Sequence, residues 1–214
     1  MAATLHADPE LRGVVCDVSQ EAQVRAIFAQ ASDFLGGLDI LVNSAGVAGP
    51  TALVEDMAFA DWRQCLAVNL DATSLRALAA TPLLRAQSSG SNINLSSTAG
   101  QCGFPRRAPY AAAKWAIQGF TRTLAQKLGR SGVRVNGIWP GSVGGGRIDR
   151  VIAPEAAKTH RSDNGVRAEY VDGVSLKTFV APEDIANTIL FLPSRGGVRL
   201  SGHDITVDGH TETL

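Results

Sequence analysis

The sequence predicts one α/β domain built on a parallel sheet with helices on both faces. Three observations predict it. Apolar runs of strand length alternate with longer stretches of helical periodicity. One run, Leu38 to Val42 (LDILV), is almost unbroken, as strands buried on both faces of a parallel sheet are. The strand ends carry polar or glycine-bearing turns: Asp17, Asn43 to Gly46, Ser96 to Gly100 and Pro140-Gly141. In open parallel sheets, ligands bind outside these carboxyl ends.

The elements follow in order. Arg12 to Cys16 is a short apolar strand ending at Asp17. Ser19 is placed to cap a helix whose apolar face is Ala22, Val24, Ile27, Phe28 and Ala31. Gly36-Gly37 stops it. Leu38 to Val42 is the second strand, and Asn43-Ser44-Ala45-Gly46 turns out of it. Asp61 caps a long helix to about Leu84, with Asn69 in its middle. Asparagine is a mediocre helix former there, because its side chain competes for backbone hydrogen bonds. The bland reading is an exposed, tolerated residue; the functional one is a kink, or a water held by its carbonyl.

Asn92 to Leu95 is the next strand, with Ser96, Ser97 and Thr98 at its end. Pro105 and Pro109 keep the following segment irregular, and a helix runs from Tyr110 to about Leu128, stopped by Gly129 to Gly132. Val133 to Ile138 is a strand leading to Trp139-Pro140-Gly141. A long glycine-rich and polar stretch, Gly144 to Lys177, reads as a lid or binding loop, with a short helix over Arg147 to Ala157. Pro182 opens a last helix, and Gly202 to Val207 is the last strand. Strand and helix alternating with short connections give a parallel sheet, and right-handed crossovers place the helices. Residues 1–214 form a single domain.

Composition narrows the function classes. The formal net charge is zero, which gives no electrostatic reason for nucleic acid or an anionic membrane as partner. Basic pairs such as Arg106-Arg107 read as solvated loop charges. Three cysteines, Cys16, Cys65 and Cys102, match no zinc or redox spacing. Idle thiols in a reducing compartment fit better. Met1 to Glu10 is polar, without the apolar core of a secretory leader, and no apolar run is long enough to span a bilayer. A soluble cytoplasmic protein is expected.

Chemistry concentrates between Ser91 and Phe120. Tyr110 and Lys114 stand one helical turn apart on one face. A phenol with a pKa of about 10 is a poor acid or base at neutral pH. An ammonium held nearby favours the phenolate. A tyrosine so tuned can move a proton to or from a substrate oxygen, and Ser97 at the preceding strand end could hydrogen-bond that same oxygen. Among the other residues, Trp115 and Trp139 read as core, Arg147 and Arg150 as a solvated helix face, and Cys102 as an idle loop thiol.

Taken together, the ordered motifs resemble the short-chain dehydrogenase/reductase family, whose fold is of Rossmann type. The matching text is Asp17-Val18, Asn43-Ser44-Ala45-Gly46, Asn69-Leu70, and Ser97 followed by Tyr110-x-x-x-Lys114. Arg134-Val135-Asn136 then leads to Pro140-Gly141, and Asp208-Gly209 closes the pattern. It covers about residues 11 to 210.

The resemblance implies an oxidoreductase that interconverts an alcohol and a carbonyl with NAD or NADP. It makes Tyr110 the general acid/base, Lys114 its partner and the holder of the nicotinamide ribose, and Ser97 the group that polarises the carbonyl. Asn69 would hold a relay water. Asp17 and Val18 would meet adenine. Asn43, Ala45 and Gly46 would pass under the ribose and cofactor chain. Pro140, Gly141 and Val143 would border the nicotinamide. It also implies a homo-oligomer, dimer or tetramer, assembled through the helices at Asp61–Leu84 and Tyr110–Leu128, and a small-molecule alcohol or carbonyl substrate.

Three departures from the family pattern stand out. The family's first strand, its loop Thr-Gly-x-x-x-Gly-x-Gly, first helix and second strand have no counterpart before Arg12. The chain is therefore read as an N-terminally truncated member, with the segment that selects NAD or NADP missing. Loss of two strands predicts an Arg12 strand without its neighbour and unpaired edges. Glycine stands at about Gly145 where a threonine usually bonds the carboxamide, and Ser44 replaces the more common asparagine. Two other functions stay open: a catalytically inactive form acting as an oligomer subunit or interaction protein, and non-redox chemistry such as isomerisation.

Overall fold

The computed structural model of the chain describes residues 10–211. The polar stretch Met1 to Glu10 lies outside them except for Glu10. Among the described residues, four parallel strands form one sheet in the order β1-β2-β3-β4. They are β1 (Ile40–Asn43), β2 (Gly90–Leu95), β3 (Val133–Pro140) and β4 (Asp204–Val207). The helices are α1 (Glu21–Leu35), α2 (Phe59–Leu66), α3 (Ala72–Ala86), α4 (Ala108–Leu128), α5 (Gly146–Thr159), α6 (Asp163–Asp172) and α7 (Pro182–Phe191).

The sheet is covered on both faces, as expected for a Rossmann-type fold. On one face Leu41, Val133 and Val135 pack against Ala80 and Leu84 of α3, Leu128 of α4 and Phe28 of α1. On the other, Ile93 and Ile138 pack against Ile185 and Ile189 of α7. Helix α4 joins β2 to β3 on the first face, and α7 joins β3 to β4 on the second. Both steps go the same way across the sheet, so the two crossovers have opposite hands. One of them breaks the right-handed rule that usually governs such connections.

Two expectations about strands fail for one reason. Arg12 to Cys16 forms no strand, and Val15 is fully exposed. In β1, Leu41 and Asn43 are buried, but Ile40 and Val42 are exposed. An apolar run becomes a buried strand only where a neighbouring strand and a covering layer exist. Helix α7 covers β2 to β4 and stops short of β1, and no other strand pairs with the outer edge of β1 among the described residues.

Helix starts shifted by small amounts. Gln20, not Ser19, is the N-cap of α1, because the Ser19 hydroxyl is engaged with Asp17 Oδ1 at 2.7 Å. The Asp61 helix begins at Phe59 and contains a π-helical turn, Ala67–Asp71, centred on Asn69. Asn69 is fully buried rather than exposed, so the kink reading holds and the bland one fails. The stretch after Gly144 is more ordered than its composition suggests. Helices α5 and α6 pack on each other through Ile152, Ala156 and Val166.

Candidate active site

At the carboxyl ends of β2 and β3 lies a cleft of about 540 Å³. Ser97, Tyr110 and Lys114 line it, with Gly46, Pro140, Gly141 and Val143 at one end and α5, α6 and α7 over it. The local sequence explains how each side chain arrives. Ser97 is extended (φ −171°) and caps a short 3-10 turn, Thr98–Gly100. Its Oγ accepts from Ala99 N at 3.2 Å, which leaves the O–H free to donate into the cleft. Helix α4 carries Pro109 in its first turn, where a missing N–H costs nothing. Tyr110 follows at once, and its hydroxyl has no hydrogen-bond partner among the described residues.

Lys114 is held at three points. Its Nζ donates to the Leu95 carbonyl at 2.9 Å. It lies 5.5 Å from the centre of the Tyr110 ring. Its own carbonyl accepts from Ser96 Oγ at 2.9 Å. The side chain is 5% exposed, and burial, helped by the positive charge of Arg147, pulls its pKa down to about 7.

Asn69 lies behind Gly46 rather than in the cleft. Its side chain clamps Val47 from both sides: Oδ1 accepts from Val47 N at 3.2 Å and Nδ2 donates to Val47 O at 3.0 Å. Its carbonyl accepts from Thr73 Oγ1 at 3.0 Å. A Cβ at position 46 would stand 2.7 Å from Asn69 Oδ1, so the wall there has room for glycine only. Asn43 is buried under the cleft floor, donating to Asn94 Oδ1 at 2.9 Å and accepting from Arg76 Nε at 2.8 Å.

The other expected cofactor residues are not gathered in. Asp17 is exposed in the unpaired segment, with its carboxyl held below the usual range by hydrogen bonds from Ser19. Neither it nor Val18 or Ala45 lines the cleft. Trp139 is fully buried as expected, but Trp115 is half exposed. Cys65 is buried beside Asn69, and burial pushes its thiol pKa up.

Sequence reasoning missed Arg107 and Tyr170. Arg107 is 4% exposed and not a solvated charge, because Arg106 takes a left-handed conformation (φ 61°) that turns the chain under. Its signal was position: three residues before Tyr110, it is the N-cap of the same helix. Tyr170 enters from α6 and donates from its hydroxyl to Glu155 Oε2 at 2.8 Å. Burial raises its pKa well above the usual phenol value.

A family model described as enoyl-(acyl carrier protein) reductase matches residues 1–210. The short-chain reductase protein NovJ of Streptomyces niveus is 36% identical over 209 residues, covering 98% of this chain and 78% of NovJ. The chain belongs to the short-chain dehydrogenase/reductase family. Another relative in this family is the D-beta-hydroxybutyrate dehydrogenase of Rhizobium meliloti, 31% identical over 195 residues, 90% of this chain and 75% of that protein. A crystal structure of NAD+-bound xylitol dehydrogenase superposes with a TM-score of 0.89 at 27% identity, covering 94% of this chain and 79% of that one. Family membership makes the protein an oxidoreductase of Rossmann-type fold.

The nicotinamide cofactor that family membership implies fits one half of this site. Gly46 and Gly141 both line the cleft, and the Cβ that each lacks would collide with Asn69 and Asp208 packed behind them. Lys114 Nζ lies 3.9 Å from the point where a Cβ on Gly46 would be. The half that would hold pyrophosphate and adenine is open among the described residues, since Asp17 and Val18 lie away from the cleft. No group of His, Cys, Asp and Glu among the described residues could hold a metal ion. No described helix is long and apolar enough to cross a membrane.

Proposed function

We propose that the protein interconverts an alcohol and a carbonyl with NAD or NADP, using Ser97, Tyr110 and Lys114. The observation that carries this reading is their convergence on one cleft, with two hydroxyls free to meet one substrate oxygen and a lysine held against the tyrosine ring. A bound nicotinamide supplies or accepts the hydride. Tyr110 moves the proton at the substrate oxygen, giving it to a forming alcohol and taking it from one being oxidised. Ser97 donates to the same oxygen and fixes its position. Lys114 provides positive charge beside the phenol and holds ribose hydroxyls next to Gly46. Asn69 holds a relay water through its backbone carbonyl at the π turn. Gly46, Pro140, Gly141 and Val143 border the cofactor, and Asn43 supports that wall from beneath; Ala45, Asp17 and Val18 stand outside the cleft and are left without a cofactor contact.

The substrate is a small alcohol or carbonyl compound. The relatives act on a hydroxy acid in one case and a polyol in another, so their names do not choose between acidic and neutral substrates. We place the protein in the cytoplasm, where its three free cysteines stay reduced, and assign it a homo-oligomeric state.

The test is a fluorescence titration of the 214-residue chain with NADH and with NADPH, followed by an activity screen of wild type and Tyr110→Phe. Saturable binding of one nucleotide, with turnover lost in a folded Tyr110→Phe, supports the mechanism. Unchanged turnover in that variant removes it. A second reading, an inactive subunit that survives by association, is favoured by the bare Ile40 and Val42 on the outermost strand. Partner-dependent solubility with no nucleotide binding would decide for it.

A further inference from the structure

The cleft is lined by three cations, Arg107, Lys114 and Arg147, and by no carboxylate. Lys114 is accounted for by Leu95 and the Tyr110 ring, and Arg147 is exposed at the rim. Arg107 is not accounted for. It is 4% exposed, yet no Asp or Glu among the described residues pairs with it. A buried charge without a counter-ion is costly, and buried cations are normally paired.

The geometry around Arg107 is specific. Its Nη1 donates to the Ala48 carbonyl at 3.0 Å, and its guanidinium lies 5.9 Å from the centre of the Phe104 ring. Nε and Nη2 have no acceptor among the described residues, and neither is a sealed, unsatisfied atom. These two nitrogens form the edge of the guanidinium that takes a carboxylate through two parallel hydrogen bonds. The positive charge also reaches the Tyr170 phenol of α6, so Arg107 stands between the Ala48 turn and the lid.

We propose that Arg107 anchors an anionic group of the substrate, so that the compound handled at Tyr110 and Ser97 is an oxo or hydroxy acid. This rests on the oxidoreductase reading above. One buried guanidinium matches one negative charge, which favours a carboxylate over a doubly charged phosphate. Arg107 is the N-cap residue of α4, three residues before Tyr110, and both line the cleft, so one substrate can meet the two. Arg107 is thus a specificity residue: it binds the remote end and leaves the proton transfer to Tyr110.

The experiment compares 3-, 4- and 5-oxo acids with their methyl esters, using the nicotinamide that binds. Wild type should prefer at least one acid over its ester by about tenfold or more in kcat/KM, the size of a charged hydrogen-bonded pair. Arg107→Met should remove that preference, mainly through KM, with little change for the ester. Arg107→Lys should keep part of it. Equal use of acid and ester by wild type, or an equal loss of both in Arg107→Met, overturns the proposal and leaves Arg107 as a strut for Ala48. If Arg107→Met fails to fold, Arg107→Lys decides: an unchanged acid-to-ester ratio counts against the anchor. If wild type turns over none of the compounds, the redox reading is judged by the nucleotide titration above and the anchor by binding. Calorimetric titration with 4-oxopentanoate and its methyl ester then decides. Binding of the acid alone, weakened in Arg107→Lys, supports the anchor, and equal or absent binding overturns it.

Discussion

Lys114 Nζ donates to the carbonyl of Leu95 at 2.9 Å, so the cation of helix α4 is fastened to the end of strand β2. That bond fixes the height of the helix over the sheet. It thereby fixes where Tyr110, one turn earlier, meets Ser97, two residues beyond Leu95. The arrangement depends on burial, and burial is what draws the Lys114 pKa down to about 7.

The pH dependence of stability follows from that shift. An unfolded lysine titrates near 10.5 and the folded one near 7. Between these values the unfolded state binds more protons, so stability rises with pH. Below about pH 7 both states are protonated and the full cost of burying the charge is present. Wild type compared with Lys114→Met should therefore gain stability from pH 7 to pH 10, by on the order of a few kcal/mol. Urea unfolding of both proteins at several pH values measures it. A difference that is flat or falls with pH would contradict the buried cation.

Asn69→Ala should loosen the loop that follows β1. It removes both bonds to Val47 and leaves that residue's N–H and C=O without their partners. A cost of about 1–3 kcal/mol is expected, read by chemical denaturation. Limited proteolysis should show faster cleavage near residues 44–52 while α4 stays protected.

Gly145→Thr introduces the threonine that the family resemblance leads one to expect at about this place, and it should do harm. Gly145 has φ 114°, a conformation L side chains rarely adopt. The variant should lose about 1–3 kcal/mol or reshape the start of α5. Differential scanning calorimetry checks the first outcome. Nucleotide affinity checks whether any gain in carboxamide binding offsets it.

The proposed homo-oligomer has a surface test. Leu78 of α3 and Trp115 of α4 are large apolar side chains left 68% and 49% exposed. If these helices form the interface, Leu78→Glu with Trp115→Glu should shift the sedimentation coefficient toward the monomer without loss of helical circular dichroism. A monomeric wild type, or an unchanged variant, would move the interface elsewhere.

The order of elements was written in the sequence, because local patterns determine it. The strand-length apolar run at Val133 to Ile138, the period near four in α1 and α4, and the stops at Gly36 and Gly132 are short-range physics. The Ser97, Tyr110 and Lys114 set was readable too, since a helical turn spaces Tyr110 and Lys114 and Ser97 marks a strand end, but the bond from Lys114 to Leu95 is what brings the two elements together. What lies between distant parts of the chain was not readable. Whether LDILV is buried on one face or two depends on a layer that α7 does not extend to β1. Whether Arg12 to Cys16 is a strand depends on a neighbour it lacks among the described residues. Arg107 reads as a loop charge until the turn at Arg106 folds it beneath Ala48 and Phe104. Asn69 reads as a tolerated polar residue until Val47 is brought against it. Periodicity specifies an element; its environment is settled only when elements far apart in the chain meet, and at this site the environment sets the charge of Lys114 and the free edge of Arg107.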